Sequence, residues 1–268
     1  MKILSKIFLG LLLVGMLDYD AYGMKRKERS CAEVSSEDES CLKSQHQNTD
    51  VEWERKPLYQ AVLRGQKESV ELLLAAREDF IRADKDRRTL LNLAISRGHE
   101  SIANMLIKAY DLANKVCFID VADHDGSTPL FLACEKGYKG MVGTLIRFHS
   151  NVNKANRYGT TPLHLACGRN GSLEMVEKLV AAGATIDARD ETGCTPLLNA
   201  VASQKKDIVD FLLQNGANPN LTGGYGHSML YIACALGCTE IANLLLRAGI
   251  TVSDELKTEL REMGFEIH

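Results

Sequence analysis

The sequence lacks the features that would indicate a nucleic-acid-binding or membrane-spanning protein. Its formal net charge at pH 7 is −3, with 32 basic and 35 acidic residues interspersed. There is therefore no overall positive field to attract nucleic acid or an anionic membrane. The apolar stretch from Ile7 to Leu17 is shorter than the roughly 20 residues that span a bilayer. DNA binding and a stable membrane span are both disfavoured.

Catalytic and metal-binding motifs are missing too. The chain has no nucleophile elbow, no His-Glu-x-x-His motif and no Cys-x-x-Cys pair. Cys234 and Cys238 have the wrong spacing for a zinc knuckle or a redox pair. The glycine-rich segment 223–226 lacks the strand, helix and Lys of a phosphate-binding loop. We therefore predict no catalytic residue, no metal ligand and no cofactor.

Residues 1–23 have the pattern of a removable secretory signal. Lys2 and Lys6 precede the apolar stretch. The small residues Ala21 and Gly23 occupy the −3 and −1 positions of a cleavage site after Gly23. Against this, basic residues 25–27 come directly after the cut and oppose translocation. Met24 is itself a candidate start. We expect export to the periplasm or beyond if Met1 is the true start, with a cytoplasmic protein as the alternative.

Residues 24–50 show no apolar periodicity and change from basic to acidic along their length. Such a composition cannot offset the entropy cost of ordering, so we predict a disordered leader. Cys31 and Cys41 lie in this leader and could pair with each other if oxidised. Val51 and Trp53 restore apolar content, and we expect them to cover the open end of a repeat array that begins at Lys56.

From Lys56 onward, a block of about 33 residues recurs six times. Each block opens with a tripeptide of the Thr-Pro-Leu type and has an Ala three residues after that tripeptide's last residue. The blocks open at Lys56, Thr89, Thr128, Thr161, Thr195 and Ser228. The steps between them are 33, 39, 33, 34 and 33 residues. A period in this range indicates a stacked array, in which each unit contacts its neighbours.

Local signals predict two short helices in each block. The opening Thr is a good N-cap residue, and the Pro after it suits the first helical position. A Gly four or five residues after the Ala is predicted to end the first helix in a left-handed conformation. These glycines are Gly65, Gly98, Gly137, Gly171 and Gly237. A second amphipathic helix comes next, and turn sequences such as 190–193 then reverse the chain.

This order of helix, tight turn, helix and projecting turn resembles the ankyrin repeat. The fourth block matches the family pattern nearly position for position, with Thr161–Ala166 at its start and Ala182–Ala184 after its second helix. The resemblance covers about residues 56–252 and implies an all-α solenoid of stacked helix-turn-helix units with projecting β-turns. We expect the repeat domain to span 51–252 and a C-terminal capping helix to span 253–268. With its signal-like start, the chain is similar to bacterial ankyrin-repeat proteins.

Some positions depart from the pattern. Lys56 replaces the usual Thr, Arg87 occupies a turn-Gly position, and Gln204 replaces the Gly that should end a first helix. About six extra residues within 108–123 lengthen the second helix of unit two or its loop. We interpret this insert as neutral variation.

Three cysteines share one position, because Cys134, Cys167 and Cys234 each directly follow the repeat's Ala. Stacked helices lie about 10 Å apart, which exceeds the Cα separation of about 7 Å that a disulfide tolerates. We predict small buried thiols. For His164, the resemblance implies a structural hydrogen bond near the helix start, and no nucleophile or orienting carboxylate accompanies it for catalysis.

The resemblance also implies where a partner protein would bind. Ankyrin partners contact the projecting turns and the exposed side of the first helices, which together form a concave face. Carried over by register, the candidates are Lys85, Asp86, Arg88, Ser96, Arg97, His124, Asp125, Ser127, Glu135, Lys136, Arg157, Tyr158, Thr160, Arg169, Asn170, Glu191, Thr192, Cys194, Ser203, Tyr225, His227 and Leu236. Aromatic and Arg side chains carry most interface energy. The residues that we single out are Arg97, Lys136, Arg157, Tyr158, Arg169, Tyr225 and His227.

We therefore expect a monomeric, non-enzymatic module that binds another protein through its concave face. Six units exceed the roughly three that an independently stable stack needs. Two alternatives stay open. One is a structural scaffold or spacer without a high-affinity partner, and the other is an enzyme that uses the leader or the insert.

Overall fold

The structure is a computed structural model that describes residues 54–76, 79–113, 115–223, 228–254 and 256–258, with only the backbone of Val116 and Cys117. These residues form twelve α-helices and one 3₁₀ helix, and no strand occurs among them. The α-helices form six consecutive pairs: α1 (Pro57–Leu63) and α2 (Lys67–Ala75), α3 (Leu90–Ser96) and α4 (Glu100–Leu112), α5 (Pro129–Lys136) and α6 (Lys139–Arg147), α7 (Pro162–Cys167) and α8 (Leu173–Ala181), α9 (Pro196–Ala202) and α10 (Lys206–Gln214), α11 (Met229–Ala235) and α12 (Thr239–Arg247). The 3₁₀ helix spans Val116–Asp120. The predicted all-α fold is confirmed.

The helices stack in two layers with one continuous core. Each first helix packs on the first helices of the neighbouring units, and the second helices form a parallel row behind them. The repeat's Leu and Ala are buried in all six units, and the small Ala lets neighbouring helices approach closely. Since every unit buries its apolar face against the next, no unit needs a core of its own.

The predicted type of N-cap is present in units two, three, five and six, whereas in unit four the Thr161 hydroxyl lies 2.8 Å from Nδ1 of His164. The side-chain oxygens of Thr89, Thr128, Thr195 and Ser228 each accept a hydrogen bond from the backbone N–H three residues on. Lys56, which departs from the pattern, makes no such bond. These caps satisfy backbone donors that the first turn of a helix leaves unpaired.

The predicted helix stops are confirmed at four glycines and wrong at the fifth. Gly65, Gly98, Gly137 and Gly237 all have φ between 70° and 77°. Gly171 is not left-handed, because α7 ends earlier, at Cys167, and the chain turns at Gly168 with φ −79°. A Cβ at Gly171 would instead lie 1.7 Å from the carbonyl oxygen of Ala166. Gly is therefore required at this position because the backbone of Ala166 leaves no room for a Cβ.

Where glycine is missing, other residues adopt the same strained backbone. Gln204 has φ 57° at the stop position of unit five, and Arg87 has φ 59° in the first projecting turn. His149 has φ 62° after α6. A left-handed conformation costs an L-residue roughly 1–2 kcal/mol, so the surrounding stack imposes these conformations.

The insert packs into the core. Helix α4 has 13 residues where the other second helices have nine, and the 3₁₀ helix comes after it. The extra length brings the buried ring of Tyr110 to 5.5 Å from that of Phe80 and 6.1 Å from that of Phe118, measured between centroids. Tyr110 and Phe118 are buried. The insert therefore enlarges the core at this junction.

The three equivalent cysteines are free and buried, as predicted. Burial raises the pKa of the Cys134 and Cys167 thiols, which keeps both protonated at neutral pH. Other predictions lie outside the described residues: the signal at 1–23, the leader at 24–50 with Cys31 and Cys41, the cover by Val51 and Trp53, and most of the helix at 253–268. Among the helices that the structure describes, none is long and apolar enough to cross a bilayer.

Candidate partner-binding surface

Four projecting turns are built in the same way around an Asp or Asn side chain. In the first, Asp84 Oδ1 accepts hydrogen bonds from the backbone N–H of Asp86 at 3.0 Å and of Arg88 at 2.8 Å. The same two bonds, to the residues two and four positions on, recur at Asp123, Asn156 and Asp190. Side chains of this type stabilise tight turns by replacing a backbone acceptor. The turns are therefore preformed.

Backbone hydrogen bonds join each of these turns to the next. The N–H of His124 donates to the carbonyl of Asp86 at 2.9 Å, and the N–H of Arg157 donates to that of Asp125 at 3.0 Å. The N–H of Glu191 donates to the carbonyl of Tyr158 at 2.9 Å. Together the turns form a continuous ladder along one side of the array. We call this ladder and the exposed side of the first helices the turn face.

Arg157 and Tyr158 form an organised pair at the tip of the fourth turn. The Arg157 guanidinium carbon lies 4.8 Å from the centroid of the Tyr158 ring, and Nη2 donates to the Tyr158 hydroxyl at 2.6 Å. Nη1 lies 3.0 Å from a carboxylate oxygen of Asp125, in the preceding turn. Both members of the pair are exposed. A planar cation and an aromatic ring are thus held together at the surface.

Three of the other predicted residues lie on the turn face, at the ends of first helices. Arg97 and Lys136 are exposed at the C-terminal ends of α3 and α5, and Arg169 is exposed just beyond α7. Lys136 has an ion pair with Glu135 at 3.2 Å. The predicted residues Tyr225 and His227 lie outside the described residues.

Two residues of the longer candidate set, which was carried over by repeat register, are not exposed in the way that the register predicts. Ser127 is buried, with 7% of its surface exposed, because it forms the base of a turn. Arg88 points back to a carboxylate of its own turn, where its Nε donates to Asp84 Oδ2 at 2.9 Å. Ser127 is therefore enclosed, and the charge of Arg88 is already paired within its own turn.

Sequence reasoning missed a buried link between units one and two. The Tyr59 hydroxyl donates to Asp84 Oδ2 at 3.1 Å, and the Asp84 side chain has no exposed surface. Burial, followed by the nearby charge of Asp84, raises the pKa of Tyr59 to about 12. Tyr59 stands next to the repeat's Leu, where the fourth unit has His164, so alignment of the units is the signal that could have revealed it.

His164 has the structural role that the resemblance implied. Its Nδ1 accepts from the backbone N–H of Thr161 at 3.2 Å, so its Nε2 carries the proton and donates to the carbonyl of Cys194 at 3.0 Å. Burial lowers the pKa of His164, which keeps the ring neutral. Both nitrogens are occupied by backbone groups. Within the described ranges, no cluster of three or more His, Cys, Asp or Glu side chains could hold a metal ion.

Comparison with known families agrees with this architecture. The family model described as ankyrin repeats (3 copies) matches residues 31–117, 111–190 and 168–255, which together exceed half of the sequence. The chain belongs to the ankyrin repeat family. Ankyrin repeats generally mediate protein–protein interaction, and the family is generally non-enzymatic.

Similar ankyrin proteins come from bacteria, plants and animals. The ankyrin repeat protein YahD of Escherichia coli (strain K12) is 29% identical over 195 residues, covering 70% of this chain and 94% of YahD. The E3 ubiquitin-protein ligase KEG of Arabidopsis thaliana is 32% identical over 174 residues, covering 65% of this chain and 10% of the ligase. The B-cell lymphoma 3 protein homolog of Mus musculus is 27% identical over 205 residues, covering 63% of this chain and 45% of that homolog. This ankyrin chain thus spans nearly all of YahD but less than half of the other two.

Proposed function

We propose that this ankyrin array is a non-enzymatic module that binds another protein through its turn face. Three features support the proposal: the family's general role, the preformed ladder of turns, and the exposed residues on it. A surface that is already ordered loses little conformational entropy on binding. The side chains proposed to carry the interaction are Arg97, Lys136, Arg157, Tyr158, Arg169, Tyr225 and His227.

The observation that carries the proposal is the exposure of Tyr158. Its surface is 49% exposed, and within the described part of the chain it is the one Phe, Tyr or Trp residue that is neither buried nor half-buried. Buried Tyr and Arg anchors at interfaces often contribute about 2 kcal/mol or more each. Tyr158 supplies such an anchor, and Arg157 orients its ring.

A photo-cross-linking amino acid at position 158 tests this function. The matched control carries it at Glu177, which is exposed on the second helix of the same unit. We expect saturable labelling of one protein from position 158 and none from position 177. The double variant Tyr158→Ala with Arg169→Ala should weaken binding of that protein by about 30-fold or more, equivalent to about 2 kcal/mol.

The competing functions predict different results. A structural spacer gives equal, non-saturable labelling from both positions at micromolar concentration. An enzyme gives turnover by the purified protein, and this result would overturn the proposal even if a partner were also captured.

For cellular location, we infer export, supported by the signal-like pattern of residues 1–23. The test is expression from Met1 followed by amino-terminal sequencing of the mature protein. A precursor that is converted to a form starting at Met24 agrees with export. A soluble product that retains Met1 indicates the cytoplasmic alternative.

A further inference from the structure

A row of basic side chains runs across the first four units at the same sequence distance from the repeat's Ala. The residue three places after the repeat's Ala is Arg64, Arg97, Lys136 and Arg169 in units one to four. All four are exposed, at or just beyond the C-terminal ends of α1, α3, α5 and α7. We call these four residues the basic row.

The stack sets the spacing of the row. Helices α1, α3, α5 and α7 pack each on the next, and helices packed side by side lie about 8–10 Å apart. Successive positions of the row are therefore about 10 Å apart along the stack, and the row spans about 30 Å. A peptide in the polyproline II conformation has three residues per turn and advances about 3.1 Å per residue, so every third side chain lies on one face and three residues match one step.

The positive charge of the row is largely free. In the part of the chain that the structure describes, Arg64, Arg97 and Arg169 form no ion pair, and Lys136 pairs with its neighbour Glu135. Two arginines of the turns differ, because Arg157 is paired with Asp125 and Arg88 with Asp84 and Asp86. Three of the four charges on the row are therefore available to a ligand.

The row also has a definite end. Units five and six have Ser203 and Leu236 at the equivalent position. Both are uncharged, and Leu236 is 41% exposed. The electrostatic footprint is therefore limited to units one to four.

We propose that the basic row binds an extended acidic segment of a protein partner, with a carboxylate at every third residue over about ten residues. This inference rests on the proposed function and names the chemistry of the partner. The net charge of −3 gives no general attraction to either an acidic peptide or a nucleic acid, so the spacing of the row has to select the ligand. A peptide fits this spacing because every third side chain of a polyproline II segment lies on one face, about 9 Å from the next.

The test uses a labelled ten-residue peptide with Glu at positions 1, 4, 7 and 10 and Ser and Ala between them. A second peptide of the same composition has its four Glu residues adjacent. We expect the full-length protein to bind the spaced peptide about tenfold more tightly at low salt, with affinity falling as salt rises. Equal binding of both peptides, or no binding of either, would overturn the proposal.

Matched variants locate the site. The double variant Arg97→Glu with Arg169→Glu should bind the spaced peptide about tenfold or more less tightly than the wild type. Arg147→Glu with Arg247→Glu makes the same charge change in the last turns of α6 and α12, where both arginines are exposed, and should leave binding within twofold. Equal losses from the two double variants would indicate a general charge effect and contradict the site.

A gain of function provides an independent check. Ser203→Arg extends the row by one step. The variant should bind a thirteen-residue peptide with a fifth Glu at position 13 several-fold more tightly than the wild type does. Its affinity for the ten-residue peptide should be unchanged. Equal effects on both peptides would contradict the spacing. Displacement of the spaced peptide by oligothymidine at lower concentration than by unlabelled peptide would indicate a nucleic-acid site instead.

The two proposals can fail separately. If position 158 captures a saturable partner whose binding is unaffected by Arg97→Glu with Arg169→Glu, the turn face binds protein but the basic row does not select acidic segments. If position 158 captures nothing and the spaced peptide does not bind, both proposals fall.

Discussion

His164 of unit four donates from Nε2 to the carbonyl of Cys194 in unit five at 3.0 Å. Its other ring nitrogen accepts from the backbone N–H of Thr161, at the start of its own helix. One neutral imidazole therefore caps a helix and ties two units together. Protonation of Nδ1 would remove the acceptor and break the bond to Thr161.

The first prediction concerns pH. The folded-state pKa of His164 is lowered by burial, whereas the unfolded chain has a pKa near 6.5. The unfolded state therefore binds the proton first, and the free energy of unfolding declines as the pH falls below about 6.5. Urea titrations at pH 7.5 and 5.5 should show that the free energy of unfolding falls more for the wild type than for His164→Gln between these two pH values. Equal losses in the two proteins would contradict this role for the ring.

The second prediction concerns the link between units one and two. Asp84 accepts bonds from Tyr59, from the Arg88 side chain and from two backbone amides. Asp84→Ala leaves these donors without their acceptor and should lower the free energy of unfolding by about 3 kcal/mol. Tyr59→Phe removes the bond to Asp84 and should cost about 1 kcal/mol. Urea denaturation followed by circular dichroism measures both, and an Asp84→Ala cost no larger than that of Tyr59→Phe would refute the assignment.

The third prediction exchanges residues at the helix-stop position. Gln204 has φ 57° where other units have Gly, so Gln204→Gly relieves strain and should stabilise the protein by about 1 kcal/mol. A Cβ at Gly237 would meet no atom within 4 Å, so the reverse exchange, Gly237→Gln, mainly imposes a side chain on a backbone with φ 70°. It should destabilise by a similar amount. Thermal melts should therefore move in opposite directions, by about 2–4 °C each.

The fourth prediction separates two kinds of glycine. A Cβ at Gly171 would meet backbone atoms of Ala166, which cannot move aside without disrupting α7. Gly171→Ala should therefore destabilise by about 3 kcal/mol. Gly140 lies in a helix, and its added Cβ would be 3.8 Å from a Glu100 side-chain oxygen. Gly140→Ala should stabilise by about 0.5–1 kcal/mol, and denaturant midpoints that shift equally for the two variants would disprove the distinction.

The features predicted well from sequence depend on neighbouring residues within a unit. The Thr caps and the stops at Gly65, Gly98, Gly137 and Gly237 result from side-chain reach and backbone sterics, so local pattern is sufficient. Gly171 was interpreted incorrectly because its role depends on contact with Ala166, which the repeat pattern does not encode.

The surface was predicted less completely than the fold. Register identifies the exposed Arg157 and Tyr158, but it cannot show that Arg157 also pairs with Asp125 across turns. It also places Ser127 on the surface, although the turn encloses it. The basic row was visible in the aligned units, but its meaning depends on which charges are already paired, and only the side-chain positions reveal that.

The ladder between the projecting turns is made from main-chain amides and carbonyls. Such bonds do not depend on which side chain the residue carries. The tips at His124, Asp125, Arg157, Tyr158 and Glu191 can therefore mutate over evolutionary time while the scaffold beneath them persists. Substitutions at a few of these tip positions can therefore change the binding surface while the repeat array still folds.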